Sequence, residues 1–307
     1  MPLDPDLAAL LAKAAGQPPL QSLSVAEARA AYESRPRPPG AEVAEVSERV
    51  IEGPGGPLRL RLYRPNAAPG ALPLLVFFHG SGFVLCSLDT HDGICRNLCA
   101  GAGCLVLSVD YRLAPETRCP TPTDDCVFAT RWAALHAAEL GADPARIAIG
   151  GDSAGGNMAA VTALRLRDEG GPPLAGQLLI YPVTDDPTVP TTSMLENAEG
   201  YGLTRDGMMW FWSHYLGPDG DGASPLASPL RAPDLARLPP AFVLTAEFDP
   251  LRDEGEHYAA RLAAAGVATE LIRYDGVTHG FFGMVGWVAR AEVAVNAANT
   301  WLRARFA

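Results

Sequence analysis

Several things are scarce or missing in this 307-residue chain, and each shortage removes a class of function. Basic residues are outnumbered: 24 Lys and Arg stand against 35 Asp and Glu, a formal net charge of -11. Nucleic acids and anionic membrane surfaces both reward Lys/Arg patches, so neither is expected as a partner. No run of like charge is long enough to form a tail. No segment approaches the ~18 apolar residues of a membrane helix. The opening MPLDPDLAALLAKAAG lacks a basic start, and Lys13 breaks its short apolar run, so it does not read as a secretory signal. These absences predict a soluble, cytoplasmic protein without a membrane partner. All six cysteines fall between Cys86 and Cys126, with no CxxC pair and no second His/Cys cluster. They are expected to be reduced thiols packed as small hydrophobes, with neither a zinc site nor a disulfide framework. There is no internal repeat and no low-complexity tract.

What the chain does have is apolar material, at 48% of residues. That is ample for one large domain or two medium ones and argues against disorder. Residues 1–45 are rich in Ala and Pro, with helical patterns near Asp6–Ala15 and Val25–Ser34 before the stiff segment PRPPG. Glu45–Ile51 and Leu58–Tyr63 read as two strands of a hairpin. From residue 73, short apolar runs alternate with helical patterns. The runs are 73–79, 104–110, 146–151, 176–182, 241–247 and 269–275, and the helices are 91–102, 124–140, 154–169, 252–265 and 286–306. Continuously apolar strands separated by helices predict an α/β fold, with a mostly parallel sheet covered on both faces. Between Tyr181 and Pro240 the rhythm stops. An insertion containing MMWFW, Met208 to Trp212, on an apparent helix suggests a lid.

The stretch IAIGGDSAGGN, Ile147 to Asn157, sets one hydroxyl among glycines at the junction of a strand and a helix. Gly151-Asp152-Ser153-Ala154-Gly155 is the G-x-S-x-G pattern of a nucleophile elbow. The turn is so tight that bulk two residues before or after the serine would meet neighbouring backbone; glycine removes it. A phosphate loop would need a Lys after the glycines or the G-x-G-x-x-G spacing, and neither is present.

A serine hydroxyl needs a base, and the base needs an acid. Of six histidines, His279 alone follows the last strand on a Gly-flanked loop, where the ends of parallel strands converge. His136, His214 and His257 lie inside helical patterns, and His91 opens a helix. Asp249 directly follows the strand 241–246, with Glu247 and Asp253 as rivals; Asp249 is preferred. The chain order Ser153, Asp249, His279 is that of α/β-hydrolases. The loop HGSGF, residues 79–83, follows the first parallel strand, where the backbone N–H groups of Ser81 and Gly82, with that of Ala154, are expected to form an oxyanion hole. His79 and Gly80 are expected to support that loop, and Gly151, Asp152 and Gly155 to support the elbow.

HGSGF, DYRLAPE (Asp110–Glu116), GDSAGGN (151–157), DPLRDEG (Asp249–Gly255) and HGF (His279–Phe281) occur in the order seen in the hormone-sensitive-lipase-like esterases, bacterial family IV of the α/β-hydrolases. The chain resembles that family across these stretches, departing where Ser81 replaces a usual glycine and after Glu116, where an aromatic-rich segment is usual. The resemblance implies an eight-stranded α/β-hydrolase sheet and a helical cap formed by residues 1–45 and 185–230. Residues 46–184 and 231–307 would form the core. It implies that Arg112 and Glu116 are structural, tying the loop beneath the oxyanion site. It also implies a serine carboxylesterase acting on short- to medium-chain esters without metal or organic cofactor. Phe83, Met208, Met209, Trp210, Phe211, Trp212 and Phe281 are candidates for the substrate pocket. The same triad would serve amides, thioesters, carbamates or lactones. A binding module on this fold would typically have lost a triad member, and all three are present. A homodimer through the edge strand 269–275 is the expected assembly.

Overall fold

The computed structural model describes residues 2–66 and 70–307. Two helices open the chain, α1 (Pro5–Ala14) and α2 (Val25–Glu33). Asp4 caps the first. Ser24 and Glu27 form a capping box on the second, each side chain bonding the other's backbone N–H. The strands β1 (Glu45–Gly53) and β2 (Gly56–Arg64) pair antiparallel around a turn that Gly56 enters at φ 115°, as the hairpin reading expects. Then β3 (Leu72–Phe78), α3 (Asp92–Ala102), β4 (Leu105–Val109), α4 (Thr121–Leu135), α5 (Ala137–Leu140), β5 (Ala142–Asp152), α6 (Ala154–Asp168) and β6 (Gly176–Ile180) alternate. The insertion contributes α7 (Thr192–Glu196) and α8 (Arg205–Leu216). The chain closes with β7 (Ala241–Phe248), α9 (Arg252–Ala264), β8 (Thr269–Thr278) and α10 (Ala289–Phe306).

The eight strands form one sheet in the order β1-β2-β4-β3-β5-β6-β7-β8, parallel from β4 onward and antiparallel at β1 and β2. The central runs are apolar because both faces are covered. In β3, Leu74, Val76 and Phe78 enter one core with α4, α6 and α9; Leu75 and Phe77 enter the other with α3 and α10. Each such fully buried Leu or Phe contributes on the order of 2 kcal/mol. The edge strand β8 is exposed or half-buried over its first residues, alternates from Ile272 to Gly276, and is buried at its end. Cys95, Cys99 and Cys104 lie in the second core as buried free thiols, and burial pushes the Cys99 thiol up to about 12.

Two boundaries differ from the sequence pattern. The expected helix 124–140 is two helices. His136 leaves helical geometry at φ -102° and ψ 18°, its ring stacked on Trp132 and its Nδ1 bonded to the Trp132 carbonyl. The first of the two starts earlier than expected, because Pro122 sits in the first turn, where a missing N–H costs nothing. The last helix begins at Ala289, since Gly286 turns at φ 89°. The insertion and the N-terminal segment pack together, with Leu20 against α8 and Leu11 beside Gly202. Both reach the loop after β3, Arg29 of α2 donating to the Val84 carbonyl and the Phe211 ring of α8 lying on Gly82. No described helix is long and apolar enough to cross a membrane.

Candidate active site

Ser153 stands between β5 and α6 at φ 56° and ψ -120°, a conformation that L-residues adopt only when the surroundings enforce it. The enforcement is steric. A Cβ on Gly155 would overlap the Phe78 carbonyl oxygen, and one on Gly151 would overlap the carbonyls of Gly155 and Phe78. Both glycines are therefore required by backbone, as the elbow reading expects. The Ser153 N–H bonds the Ile180 carbonyl at 2.8 Å, fastening the turn to β6.

His279 follows β8 directly. Its Nδ1 lies 2.7 Å from Asp249 Oδ2, and its Nε2 lies 2.9 Å from Ser153 Oγ. A carboxylate only accepts, so Nδ1 carries the proton and Nε2 is left to accept from the serine hydroxyl. Asp249 is fully buried, and its other oxygen accepts from the Leu251 N–H at 2.9 Å. The rivals are engaged elsewhere: Glu247 accepts from Gly276 N–H and Asp253 from Ser193 N–H, each at 2.7 Å. The ring of Tyr181 lies 4.6 Å from that of His279.

The loop after β3 faces this row. Among the described residues, the N–H groups of Ser81 and Gly82 have no protein acceptor. Ala154 opens α6, so its N–H has no intrahelical one. His79 is not available as a base. It is buried, stacked on Tyr111 with ring centres 4.5 Å apart, and its Nδ1 is 3.0 Å from the Gly80 carbonyl. Burial, with the nearby charge of His91, pushes its pKa down to about 4. The Tyr111 hydroxyl holds the His79 carbonyl at 2.7 Å.

Sequence reasoning missed a second His–Asp pair below the same loop. Asp152 accepts from the Gly80 N–H at 3.0 Å, and its other contact is His91, 3.2 Å away. Thr90 donates to the Ser87 carbonyl, so it accepts from His91 Nδ1 at 2.8 Å. Burial opposes ionisation of Asp152, yet the charge and hydrogen bond of His91 bring its carboxyl below the usual range. Asp152 thus ties the elbow to the loop. The adjacency of Asp152 to the nucleophile was the available signal. His91 opens a helix pattern and gave none.

The two charged residues of DYRLAPE, Arg112 and Glu116, take different ion-pair partners. Arg112 forms a bidentate pair with Asp125 of α4, at 2.8 and 2.7 Å. Glu116 pairs with Arg29 of α2. Asn157 of α6 reaches both sides of the insertion, its amide donating to the carbonyls of Val183 and Ala227. Ser193 Oγ on α7 donates to the Pro250 carbonyl at 2.9 Å, and Asn197 Nδ2 just past α7 donates to the Asp249 carbonyl at 3.3 Å, bracing the loop of Asp249.

The pocket candidates divide. Met208, Phe211 and Trp212 turn inward on α8, and Phe211 occupies the space where a Gly82 Cβ would go. Trp210 is half-buried against Phe211 and His214, and Met209 faces solvent. Phe83 and Phe281 are both fully buried, Phe83 stacked on Tyr215 and Phe281 packed against Tyr181 and Tyr274.

Known proteins resemble this chain in sequence and fold. The family profile described as the α/β-hydrolase fold matches residues 75–283. Esterase LipI of Mycobacterium tuberculosis is 45% identical over 273 residues, spanning 87% of this chain and 84% of its own. Ethyl acetate hydrolase of Pseudomonas putida is 38% identical over 307 residues, 95% of this chain and 96% of that protein. Among solved structures, an ester hydrolase from the metagenome of Lake Arreo, complexed with a bipyridine phosphonate derivative, matches with a TM-score of 0.94. It is 43% identical and covers 99% of each chain.

Proposed function

This chain belongs to the hormone-sensitive-lipase-like carboxylesterases of the α/β-hydrolase family, and we propose that it cleaves short- to medium-chain esters through Ser153, His279 and Asp249. The observation that carries the reading is the unbroken hydrogen-bonded row from Ser153 Oγ through His279 to Asp249. Ser153 Oγ attacks the acyl carbon while its proton passes to His279 Nε2. Asp249 stabilises the imidazolium and keeps the ring oriented. The N–H groups of Ser81, Gly82 and Ala154 receive the oxyanion, each worth roughly 3 kcal/mol in the transition state. Collapse expels the alcohol, which takes the proton from His279. Water then enters, gives its proton to the same nitrogen, and releases the acid from the acyl-enzyme.

In this reading the cap comprises residues 1–45 and 185–230, and Met208, Phe211 and Trp212 shape the apolar side of the site. An ester is preferred over an amide, and the chain pairs with a copy of itself through β8. Labelling by a fluorophosphonate, with the adduct mapped by mass spectrometry, tests the centre of the proposal. Modification at Ser153 is expected, and an adduct elsewhere rejects the assignment. Matched ester and amide substrates test the leaving group; an amide rate within tenfold of the ester rate rejects the ester preference.

A further inference from the structure

The loop that carries Ser81 and Gly82 is strained along its length. Ser81, Phe83 and Cys86 are non-glycine residues at φ 84°, 68° and 71°. Each costs about 1 kcal/mol relative to an ordinary backbone, and such geometry persists only where neighbours over-determine it. The loop secures part of it internally. The N–H groups of Val84 and Leu85 both return to the Ser81 carbonyl, and the Cys86 thiol donates to Ser81 Oγ at 2.8 Å. The hydroxyl at the position where the family has glycine is therefore engaged within the loop.

The rest of the grip comes from the cap, on two sides. From α2, Arg29 Nε donates to the Val84 carbonyl and Nη2 to the Ala114 carbonyl, each at 2.9 Å. Both terminal nitrogens also hold the Glu116 carboxylate at 2.7 Å. Ala114 N–H in turn donates to the Phe83 carbonyl at 2.9 Å, so one guanidinium spans the strained loop and the segment that backs it. From α8, the Phe211 ring lies directly on Gly82. Tyr215 stacks on Phe83 with ring centres 3.8 Å apart and planes 9° apart. The Glu116 side chain is 61% exposed, so its ion pair adds little stability. What it does is fix the plane of the fork.

We propose that Arg29 and Phe211 are positioning residues for ester hydrolysis: through them the docked cap holds the Ser81–Cys86 loop in the conformation that leaves the Ser81 and Gly82 N–H groups free for the oxyanion. The inference rests on the reading of those two groups as oxyanion donors. The cap thereby becomes part of the electrostatic machinery, beyond its role as a cover. An Arg29 that merely anchored α2 would change melting temperature and substrate affinity, and leave turnover of the folded enzyme alone.

The test is made on the full chain, with Arg29→Met, Arg29→Lys and Phe211→Leu. Arg165→Met removes a comparably paired guanidinium remote from this loop and serves as control. The readouts are kcat and KM for a chromogenic short-chain ester, and the inhibition constant of a boronic acid that forms a tetrahedral adduct on serine. Removing one oxyanion donor outright costs ~100- to 1000-fold in kcat, so displacing donors should cost part of that, about ten- to a hundredfold for Arg29→Met. KM should move less than about threefold, and boronate affinity should fall in step with kcat/KM. Arg29→Lys should recover part of the loss, since an ammonium can reach one carbonyl without holding the fork. Arg165→Met should stay within about twofold of wild type. If Arg29→Met does not fold, Arg29→Lys and Phe211→Leu carry the same correlation. Turnover kept within twofold in Arg29→Met, or a rise in KM alone, overturns the inference. A wild type that is not labelled at Ser153 overturns the underlying reading instead.

Discussion

Ser153 is held from below and the loop facing it from above by different kinds of matter. Below, the elbow is locked by backbone against backbone: Gly151 and Gly155 are squeezed against the carbonyls of Phe78 and Gly155, and Ser153 N–H is fastened to Ile180. Above, the loop after β3 is held by side chains, namely Arg29, Phe211 and Tyr215. Backbone constraints admit one residue type and cannot relax. Side-chain constraints admit substitution and can swing away. The lower half should therefore fail all at once, and the upper half by degrees.

The largest expected effect is in the lower half. Ser153→Ala should cost about a million-fold in kcat, and Asp249→Asn about 10⁴-fold by leaving His279 in the wrong tautomer. Both should leave the thermal transition close to that of wild type. The cap substitutions at Arg29 and Phe211 should fall far short of this. Steady-state hydrolysis of a chromogenic ester compares them on one scale, and cap variants as severe as Ser153→Ala would erase the distinction.

Two glycine substitutions sharpen it further. Gly155→Ala would drive a methyl into the Phe78 carbonyl, which belongs to the central strand β3 and has nowhere to go. The expected result is a chain that does not accumulate as folded protein. Gly82→Ala meets only the Phe211 ring, at φ 63°. Strain and a displaced ring together cost about 1–3 kcal/mol, leaving a folded enzyme with impaired turnover. In a Phe211→Ala background, where the ring is already gone, Gly82→Ala should cost less stability than it does in the wild type, without any return of activity. Melting temperatures of these chains decide the point, and equal losses for Gly82→Ala and Gly155→Ala would contradict it.

The same division explains what could be read from the amino-acid order. G-x-S-x-G announces its turn because no other residue fits positions 151 and 155. The eight strands are legible because central parallel strands are apolar on both faces, as β4 and β6 show. His279 is legible because it alone among the histidines follows the last strand on a Gly-flanked loop, after both partners in chain order. Arg29 is not: it is an arginine on an Ala-rich helix, and its four hydrogen bonds go to residues 55 to 87 positions away. His91 is hidden for the same reason, since its partner Asp152 lies 61 positions on. The depth of Phe83 and Phe281 is hidden too, because an aromatic side chain near a site looks the same in sequence whether it lines a cavity or fills a core.

A smaller effect is expected where cap and acid meet. Asn197→Ala removes the amide that donates to the Asp249 carbonyl and leaves the carboxylate's own bonds to His279 and Leu251 intact. A loss of about 1 kcal/mol in stability and a severalfold drop in kcat should follow, with KM nearly constant. Unchanged turnover would confine the cap's influence to the oxyanion side.

The mildest test concerns Glu254, which sits on α9 in the lower half yet holds the root of the cap. Its Oε1 accepts from the N–H groups of Thr184 and Asp185, where the chain leaves β6 for the insertion. Burial pushes its carboxyl up from 4.5 to about 8, against the pull of those two donors. Between pH 4.5 and about 8 the folded chain therefore binds more protons here than the unfolded chain, so this group's contribution is full below pH 4.5 and is lost as pH rises to about 8. His79 gives the opposite slope. Its pKa is lowered from 6.5 to about 4, so its contribution is present above pH 6.5 and is lost as pH falls. The two overlap in the wild type, and the informative quantity is the difference from Glu254→Gln, which keeps Oε1 as acceptor but cannot ionise. Urea midpoints at pH 5, 6.5 and 8 should show the variant gaining on the wild type as pH rises, while ester hydrolysis at pH 8 changes little. Parallel pH curves for the two chains would mean that Glu254 stays ionised in the folded protein, and that the cap's root is held by two charge-assisted bonds throughout this range.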